Sequence, residues 1–281
     1  MKRIDENELI SLSLNGNRKA LEELLVSVQD MVFNLSLRML GTIADAEDAS
    51  QDIMVKIITN LAGFQQTSSF PTWVYRLSVN NLLNYKKSLL SRQPLSFDIF
   101  AADICKTDED AGMDAINEYE KEELAHELKL SCSNVMLQCL DPQSRCAFIL
   151  GTMFNIDSHT AGEIMNITPV TFRKKLSRSR QKMSEFMHIY CGLANGKCSC
   201  RKRTTYAIKQ GRINPENPEY SNLRSLLDQL LFKHTNAMEK MDAASDIYTH
   251  MKKYASPQKA KDFLIRLLNS KSGQIIQKLN N

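Results

Sequence analysis

FQQTSSFPTWVYRLSVNNLLNYKK, residues 64–87, runs from a polar loop into an aromatic-rich helix with a basic end. Phe64, Phe70, Trp73, Tyr75 and Tyr85 fall in it, and Trp73 is the only Trp of the chain. Rings, small hydroxyls and cations suit unpaired nucleic-acid bases, which stack on aromatic faces and hydrogen-bond through exposed edges. The plainer reading is a core helix with inward-facing rings. The stretch alone does not choose between them, so its neighbours must.

On its N-terminal side the apolar positions repeat at helical spacing. Leu9, Ile10 and Leu14 make a short face that Asn15-Gly16-Asn17 interrupts. Leu21, Leu24, Leu25, Val28, Met31, Val32, Leu35 and Met39 make a longer one that Gly41 ends. A third helix opens on Asp45, Glu47 and Asp48, acids that favour the positive end of the helix dipole. Its apolar residues Ile53, Val55, Ile57, Ile58 and Leu61 leave Asp48, Gln51, Asp52 and Lys56 largely on other faces, and Gly63 stops it.

On the C-terminal side the charge changes character. Residues 1–92 carry ten basic and ten acidic side chains, residues 93–135 three and eleven, and residues 136–281 twenty-three and eleven. A neutral lobe, an acidic connector and a basic lobe point to a polyanionic partner for the last. Helical periodicity resumes from Glu118 to Cys139 through Leu124, Leu128, Val135 and Met136.

Asp141-Pro142 then starts another helix, with Pro in its first turn. A short helix over Ser158–Met165 follows, with Ala161 and Gly162 small enough for a close crossing. Asn166 makes a turn, Thr168 caps, and Pro169 opens a second helix. Phe172, Leu176 and Met183 bury along it, while Thr171, Arg173, Lys174, Lys175, Arg178 and Arg180 lie mostly on exposed faces. This is a helix-turn-helix pattern, in which cations hold phosphates and a few side chains reach base edges in the major groove.

Taken in order, Asp45-Ala46-Glu47-Asp48-Ala49-Ser50-Gln51-Asp52, Phe64, Ser68-Ser69-Phe70-Pro71-Thr72-Trp73-Val74-Tyr75-Arg76-Leu77 and Asn80 resemble the first domain of a bacterial sigma-70-family factor of the extracytoplasmic-function (ECF) group. Ile164 to Arg173 resembles the second domain of the same family. The resemblance implies an all-α protein that is not an enzyme and needs no cofactor. Residues 1–92 would bind core RNA polymerase and read the promoter −10 element, 93–130 would be a flexible acidic linker, and 131–187 would form the helix-turn-helix domain that reads the −35 element.

Residue by residue, the resemblance implies that Asp45, Asp48, Gln51, Asp52 and Lys56 dock on the polymerase. Phe64, Gln65, Ser68, Ser69, Trp73, Arg76, Asn80, Lys86 and Lys87 are implied at the melted −10 element. Thr168, Pro169, Thr171, Arg173, Lys174, Lys175, Arg178 and Arg180 are implied at the −35 duplex. Val79 and Asn84 stand where family members often carry Arg and Asp. Within the stretch itself, Trp73, Val74 and Leu77 are expected to pack, whereas Phe64, Gln65, Ser68, Ser69, Asn80, Lys86 and Lys87 are the better candidates for melted DNA. A stand-alone helix-turn-helix regulator is the alternative, and it leaves residues 64–87 without a use.

Residues 188–281 extend beyond these two domains as a Cys-containing junction and a small helical extension. His188, Cys191, Cys198 and Cys200 offer four tetrahedral zinc ligands, although Cys-x-Cys is tighter than the usual knuckle. Lys197, Arg201, Lys202 and Arg203 would instead lower thiol pKa values for a redox role, and inert thiols are the third reading. Ser221–Tyr254 reads as an amphipathic pair of helices and Pro257 starts a last one. Packing on itself or on the helix-turn-helix domain is expected over a free partner-binding arm. With the working domains complete before it, the extension is expected to act in cis, in place of or beside an anti-sigma partner.

Composition agrees with this organisation. The chain of 281 residues is long enough for two or three compact units. It shows no apolar run that would cross a bilayer, so a cytoplasmic location without membrane contact is expected. Its seven Cys, an odd number, fit reduced thiols better than a disulfide framework. A thiol- or metal-dependent enzyme would need a His/Asp/Glu set beside them, and the sequence shows none.

Overall fold

The computed structural model describes residues 5–85, 95–106, 118–194, 196–223 and 247–270, and the regular elements among them are helices. Lys86, Lys87, the acids Asp108, Glu109 and Asp110, and most of the helix pair expected over 221–254 lie outside the described residues. No described helix is long and apolar enough to cross a membrane.

Local cap chemistry places the helix starts. Helix α1 spans Glu6–Leu14, α2 Arg18–Leu40 and α3 Ile43–Asn60. Asn17 caps α2 by accepting from the Ala20 amide, and Gly41 ends it at φ 85°, a left-handed geometry that suits Gly. Thr42 caps α3. Helix α4 covers Phe70–Leu83, with Ser69 as cap and Pro71 in its first turn.

Within the expected acidic linker the structure forms a helix, α5 (Phe97–Ile104), which buries Phe100, Ala101 and Ile104. Phe100 stacks 5.7 Å from Phe186. The apolar face is short and flanked by charge, so its periodicity is hard to read in sequence. Helix α6 (Glu118–Leu137) runs through residue 130, the expected domain boundary, without interruption.

Helices α7 (Pro142–Phe148), α8 (Ser158–Met165) and α9 (Pro169–Tyr190) form the helix-turn-helix, with a π turn over Ile149–Met153 closing α7. A short helix, α10 (Thr204–Lys209), and a last one, α11 (Gln258–Asn269), belong to the extension.

Helix α2 is the hub. An amphipathic helix buries one stripe, yet Phe33, Leu35, Leu37 and Met39 are all at most 1 % exposed, although they point in different directions around the axis. The second stripe is covered by the extension: Tyr220 and Tyr254 pack against Phe33, Leu37 and Ala46. Each large apolar side chain so buried contributes roughly 1.5–3 kcal/mol. Helix α11 lies against both α2 and α3 and sends Leu264 and Leu268 into the main core. The extension therefore packs on the first domain as well as the second, where packing on itself or on the helix-turn-helix domain was expected.

Two arginines join α2 to the second domain. Arg145 of α7 donates to the Met39 carbonyl at 2.6 Å and to the carbonyls of Leu137, Gln138 and Leu140 at the end of α6. Arg38, 2 % exposed, donates to Asn134 Oδ1 of α6 and, at 2.6 Å, to the Lys252 carbonyl of the extension. Its guanidinium carbon lies 5.6 Å from the centre of the Tyr254 ring.

Candidate nucleic-acid interface

The acidic face of α3 is assembled by its first turn. The Thr42 hydroxyl accepts from the Asp45 amide at 3.2 Å and donates to Asp45 Oδ2 at 2.8 Å, so this carboxylate is partly committed to the cap. Asp48, Asp52 and Lys56 are exposed and Gln51 is half-buried. Burial, together with the charges of Asp48, Asp45 and Asp52, pushes the Tyr85 hydroxyl up to about 12, which places the end of the aromatic stretch beside these acids.

The stretch over 64–85 divides into scaffold and surface. Phe64, Phe70 and Trp73 form one ring cluster, with centroids 5.8, 5.3 and 5.8 Å apart, and all three are buried. Phe64, singled out for melted DNA, is thus core: at 9 % exposure its ring is spent on Phe70 and Trp73. Val79, 0 % exposed, cannot meet a base either, so its difference from the family pattern concerns packing. The loop before α4 leaves Gln65, Gln66, Thr67 and Ser69 exposed, with Gln66 at φ 55°. Ser69 is engaged at the cap, accepting from the Thr72 amide at 3.3 Å. Ser68 Oγ is buried and has no hydrogen-bond partner among the described residues.

Arg76 and Asn80 border two clefts. One, of about 430 Å³, is lined by Lys56, Asn60, Gly63, Trp73, Asn81 and Asn84 as well. Amides that both donate and accept, two cations and the edge of an indole make a base-sized polar recess. Asn60 and Asn81 escaped the sequence reading, although the Asn80-Asn81 and Asn84 cluster was a signal for them. The second cleft, of about 650 Å³, is shared with Gly162, Glu163, Asn166, Ile167 and Thr168. Across it Arg76 Nη1 stands 3.9 Å from Glu163 Oε1.

The helix-turn-helix is built by its caps. Asp157 accepts from the Thr160 hydroxyl at 2.6 Å and from the amides of Thr160 and His159 at 3.1 and 2.9 Å, and these bonds, the hydroxyl's first, hold its carboxyl below the usual carboxylate range. Asn166 turns the chain at φ 52°. Thr168 accepts from the Thr171 amide at 3.2 Å, leaving Pro169 at the first helical position. Thr171, Arg173, Lys174 and Arg178 are exposed on α9, Lys175 is half-buried, and Arg173 donates to Ser158 Oγ at 3.0 Å. Arg180 departs from the expectation of exposure: it folds back to Thr152 Oγ1 at 3.0 Å and to the Gly151 carbonyl at 3.2 Å, holding the π turn.

Residues 24–91, which include the acidic face of α3 and the first cleft of α4, match the family model "Sigma-70 region 2". Over 180 residues the chain is 23 % identical to the RNA polymerase sigma-H factor of Pseudomonas aeruginosa, covering 64 % of this chain and 92 % of that protein. Over the same length it is 26 % identical to the ECF RNA polymerase sigma-E factors of Haemophilus influenzae and Escherichia coli K12, covering 64 % of this chain and 94 % and 93 % of theirs. Over these residues the chain is similar to sigma-70-family factors of the ECF group. These alignments span nearly the whole of each relative but under two-thirds of this chain.

Three of the thiols, Cys191, Cys198 and Cys200, lie at the junction after α9. The Tyr190 carbonyl accepts from the Cys198 amide at 2.9 Å and the Cys191 carbonyl from the Gly196 amide at 2.8 Å. This hairpin brings Gly192 and Gly196 against backbone: a Cβ would lie 1.9 Å from the Cys198 carbonyl oxygen at Gly192, and 2.4 Å from the Cys191 nitrogen at Gly196. Cys200 donates its S–H to Cys198, which is the main reason the Cys198 thiol is held low and the Cys200 thiol high; Arg203 adds to the first effect. His188 Nδ1 instead lies 3.2 Å from the Ala194 carbonyl. Among the described residues no three His, Cys, Asp or Glu side chains are grouped to hold a metal ion, so His188, Cys191, Cys198 and Cys200 are not assembled as a ligand set.

Proposed function

We propose that this chain is a sigma initiation factor that recruits core RNA polymerase to particular promoters and helps melt their −10 element. The succession of a sigma-70 region 2 and a helix-turn-helix in one chain carries the reading. Docking on the polymerase falls to Asp45, Asp48, Gln51, Asp52 and Lys56 on α3. The −10 strand is met by Gln65, Ser68, Arg76 and Asn80, with Asn60, Asn81 and Asn84 completing the polar recess, while Phe64 and Trp73 stiffen it. The −35 duplex is met by Thr171, Arg173, Lys174, Lys175 and Arg178, whose phosphate contacts make binding salt-dependent. Residues beyond Tyr190 regulate these activities in cis.

The test is to mix the purified protein with core polymerase and a set of promoter templates. A stable complex and promoter-dependent transcripts are expected. Binding to duplex DNA alone, with no initiation under any template, would replace this reading by a stand-alone helix-turn-helix regulator.

A further inference from the structure

The face of α2 formed by Phe33, Asn34, Leu37 and Arg38 is a docking surface already occupied by the chain's own extension. The occupant can be followed residue by residue. Tyr248 donates to the Ser133 carbonyl of α6 at 3.1 Å and sets its ring edge-on to Phe148 of α7, with centroids 5.1 Å apart. Thr249 donates to the Thr152 carbonyl in the π turn at 3.3 Å. Four to eight residues later the same strap lies on the first domain. The Lys252 carbonyl accepts from Arg38, Tyr254 pairs with Asn34, and the Ser256 amide donates to Asp30 Oδ1 at 2.7 Å. Helix α11 then runs on along α2 and α3, and Asn269 accepts from Arg18 at the far end. One segment therefore staples the second domain to the first.

What the staple holds shut is the cleft between α4 and α8. Asn80 and Thr168, one candidate for each promoter element, line the same recess of about 650 Å³. Elements centred at −10 and −35 are separated by about 85 Å of duplex, at 3.4 Å per base pair. Side chains bordering one small recess cannot serve both, so the two domains must part before promoter DNA is read. Tyr75 of α4 also packs 6.1 Å from Phe154, just past the π turn. By contrast Asp48, Asp52 and Lys56 on α3 stay exposed in the same conformation.

Arg38 makes the staple reversible. It is a buried guanidinium whose hydrogen bonds go to an amide and a carbonyl rather than to a carboxylate. Burial lowers its pKa, and a charge so placed regains water when the strap leaves.

We propose that residues 248–269 are an intramolecular clasp that closes the two DNA-reading domains on each other while leaving the polymerase-docking face of α3 open, so that polymerase can be engaged before promoter DNA. The clasp gates DNA rather than core polymerase. This rests on the sigma-factor reading above.

The test uses the full chain with Tyr254→Ala, which removes the ring over Arg38, and separately Asp30→Ala, which removes an anchor at the rim of the staple and leaves the core intact. Hydrogen exchange is followed over 70–83 and 158–168, alongside co-purification with core polymerase and transcript yield. Faster exchange in both segments, unchanged co-purification and a several-fold rise in transcripts are expected. Faster exchange over 248–256 alone, with α4 and α8 as protected as before, would overturn the clasp. Should Tyr254→Ala unfold the chain globally, Asp30→Ala decides by the same readings. Failure of the sigma-factor reading looks different: wild type and variants alike would not co-purify with core polymerase.

Discussion

The side-chain amide of Asn34 takes both backbone groups of Tyr254, across 220 residues of sequence: its Oδ1 accepts from the Tyr254 N–H at 2.8 Å and its Nδ2 donates to the Tyr254 carbonyl at 2.6 Å. Both residues are buried, so neither group has water to fall back on. Asn34→Ala should therefore cost about 2–4 kcal/mol, the sum of two orphaned buried groups. Urea unfolding followed by the fluorescence of Trp73 measures it. A loss below about 0.5 kcal/mol, within the range of an ordinary surface substitution, would mean that the strap is not held there.

At the helix-turn-helix corner, Gly162 lets α8 approach the turn. A Cβ at this position would sit 2.8 Å from the Ile167 carbonyl oxygen and 3.3 Å from the Pro169 nitrogen, backbone atoms that cannot rotate away. The Ile167 amide donates to the Gly162 carbonyl at 2.9 Å, so a shift also strains that bond. Gly162→Ala should destabilise the second domain by about 1–3 kcal/mol, as overpacking does. Thermal melting measures this, and a matching loss of duplex binding is expected.

How much of this was legible in sequence follows the range of the interactions. The caps at Thr42 and Ser69, though local, were not read. Helix starts at Asp141 and Thr168 depend equally on residues within three positions, and the cap and Pro signals located them. The αL turn at Asn166 was legible for the same reason. The burial of Phe33, Leu37 and Arg38 depends on Tyr220 and Tyr254, and no local pattern announces a partner that far along the chain. Phe64 was misread because an aromatic at a loop end looks the same whether its face meets a base or Trp73. Arg180 was misread because helical spacing does not tell a solvent-facing arginine from one that bends back to a carbonyl.

The exposed and folded-back arginines of α9 should separate cleanly in salt titrations. Arg178 is exposed, whereas Arg180 is tied to Gly151 and Thr152. Arg178→Ala should lower duplex affinity and reduce the slope of log affinity against log salt by about one. Arg180→Ala should leave the slope unchanged and lower thermal stability instead. Equal slopes for wild type and Arg178→Ala would remove that residue from the phosphate contacts.

Asp103 of α5 accepts from Arg212 at 2.5 Å, from Arg203 at 3.2 Å and from the Tyr206 hydroxyl at 3.1 Å, tying the inter-domain helix to the extension. Partial burial alone would raise its pKa, but the hydrogen bond and charge of Arg212, with Tyr206 and Arg203, outweigh it and hold the carboxyl low. A depressed folded pKa contributes stability that is full above the unfolded value, about 4, and is lost as pH falls through the lower folded one. Asp103→Asn keeps the shape and removes the charge, so the variant should be less stable than wild type at pH 7 by about 1–3 kcal/mol. The gap should shrink as pH drops below about 4, where wild type loses the same charge. Denaturant unfolding of both proteins across that range measures the difference. A gap that stays constant into acid would assign the contribution of Asp103 to shape rather than to its ion pairs, and the coupling of α5 to the extension would then not rest on charge.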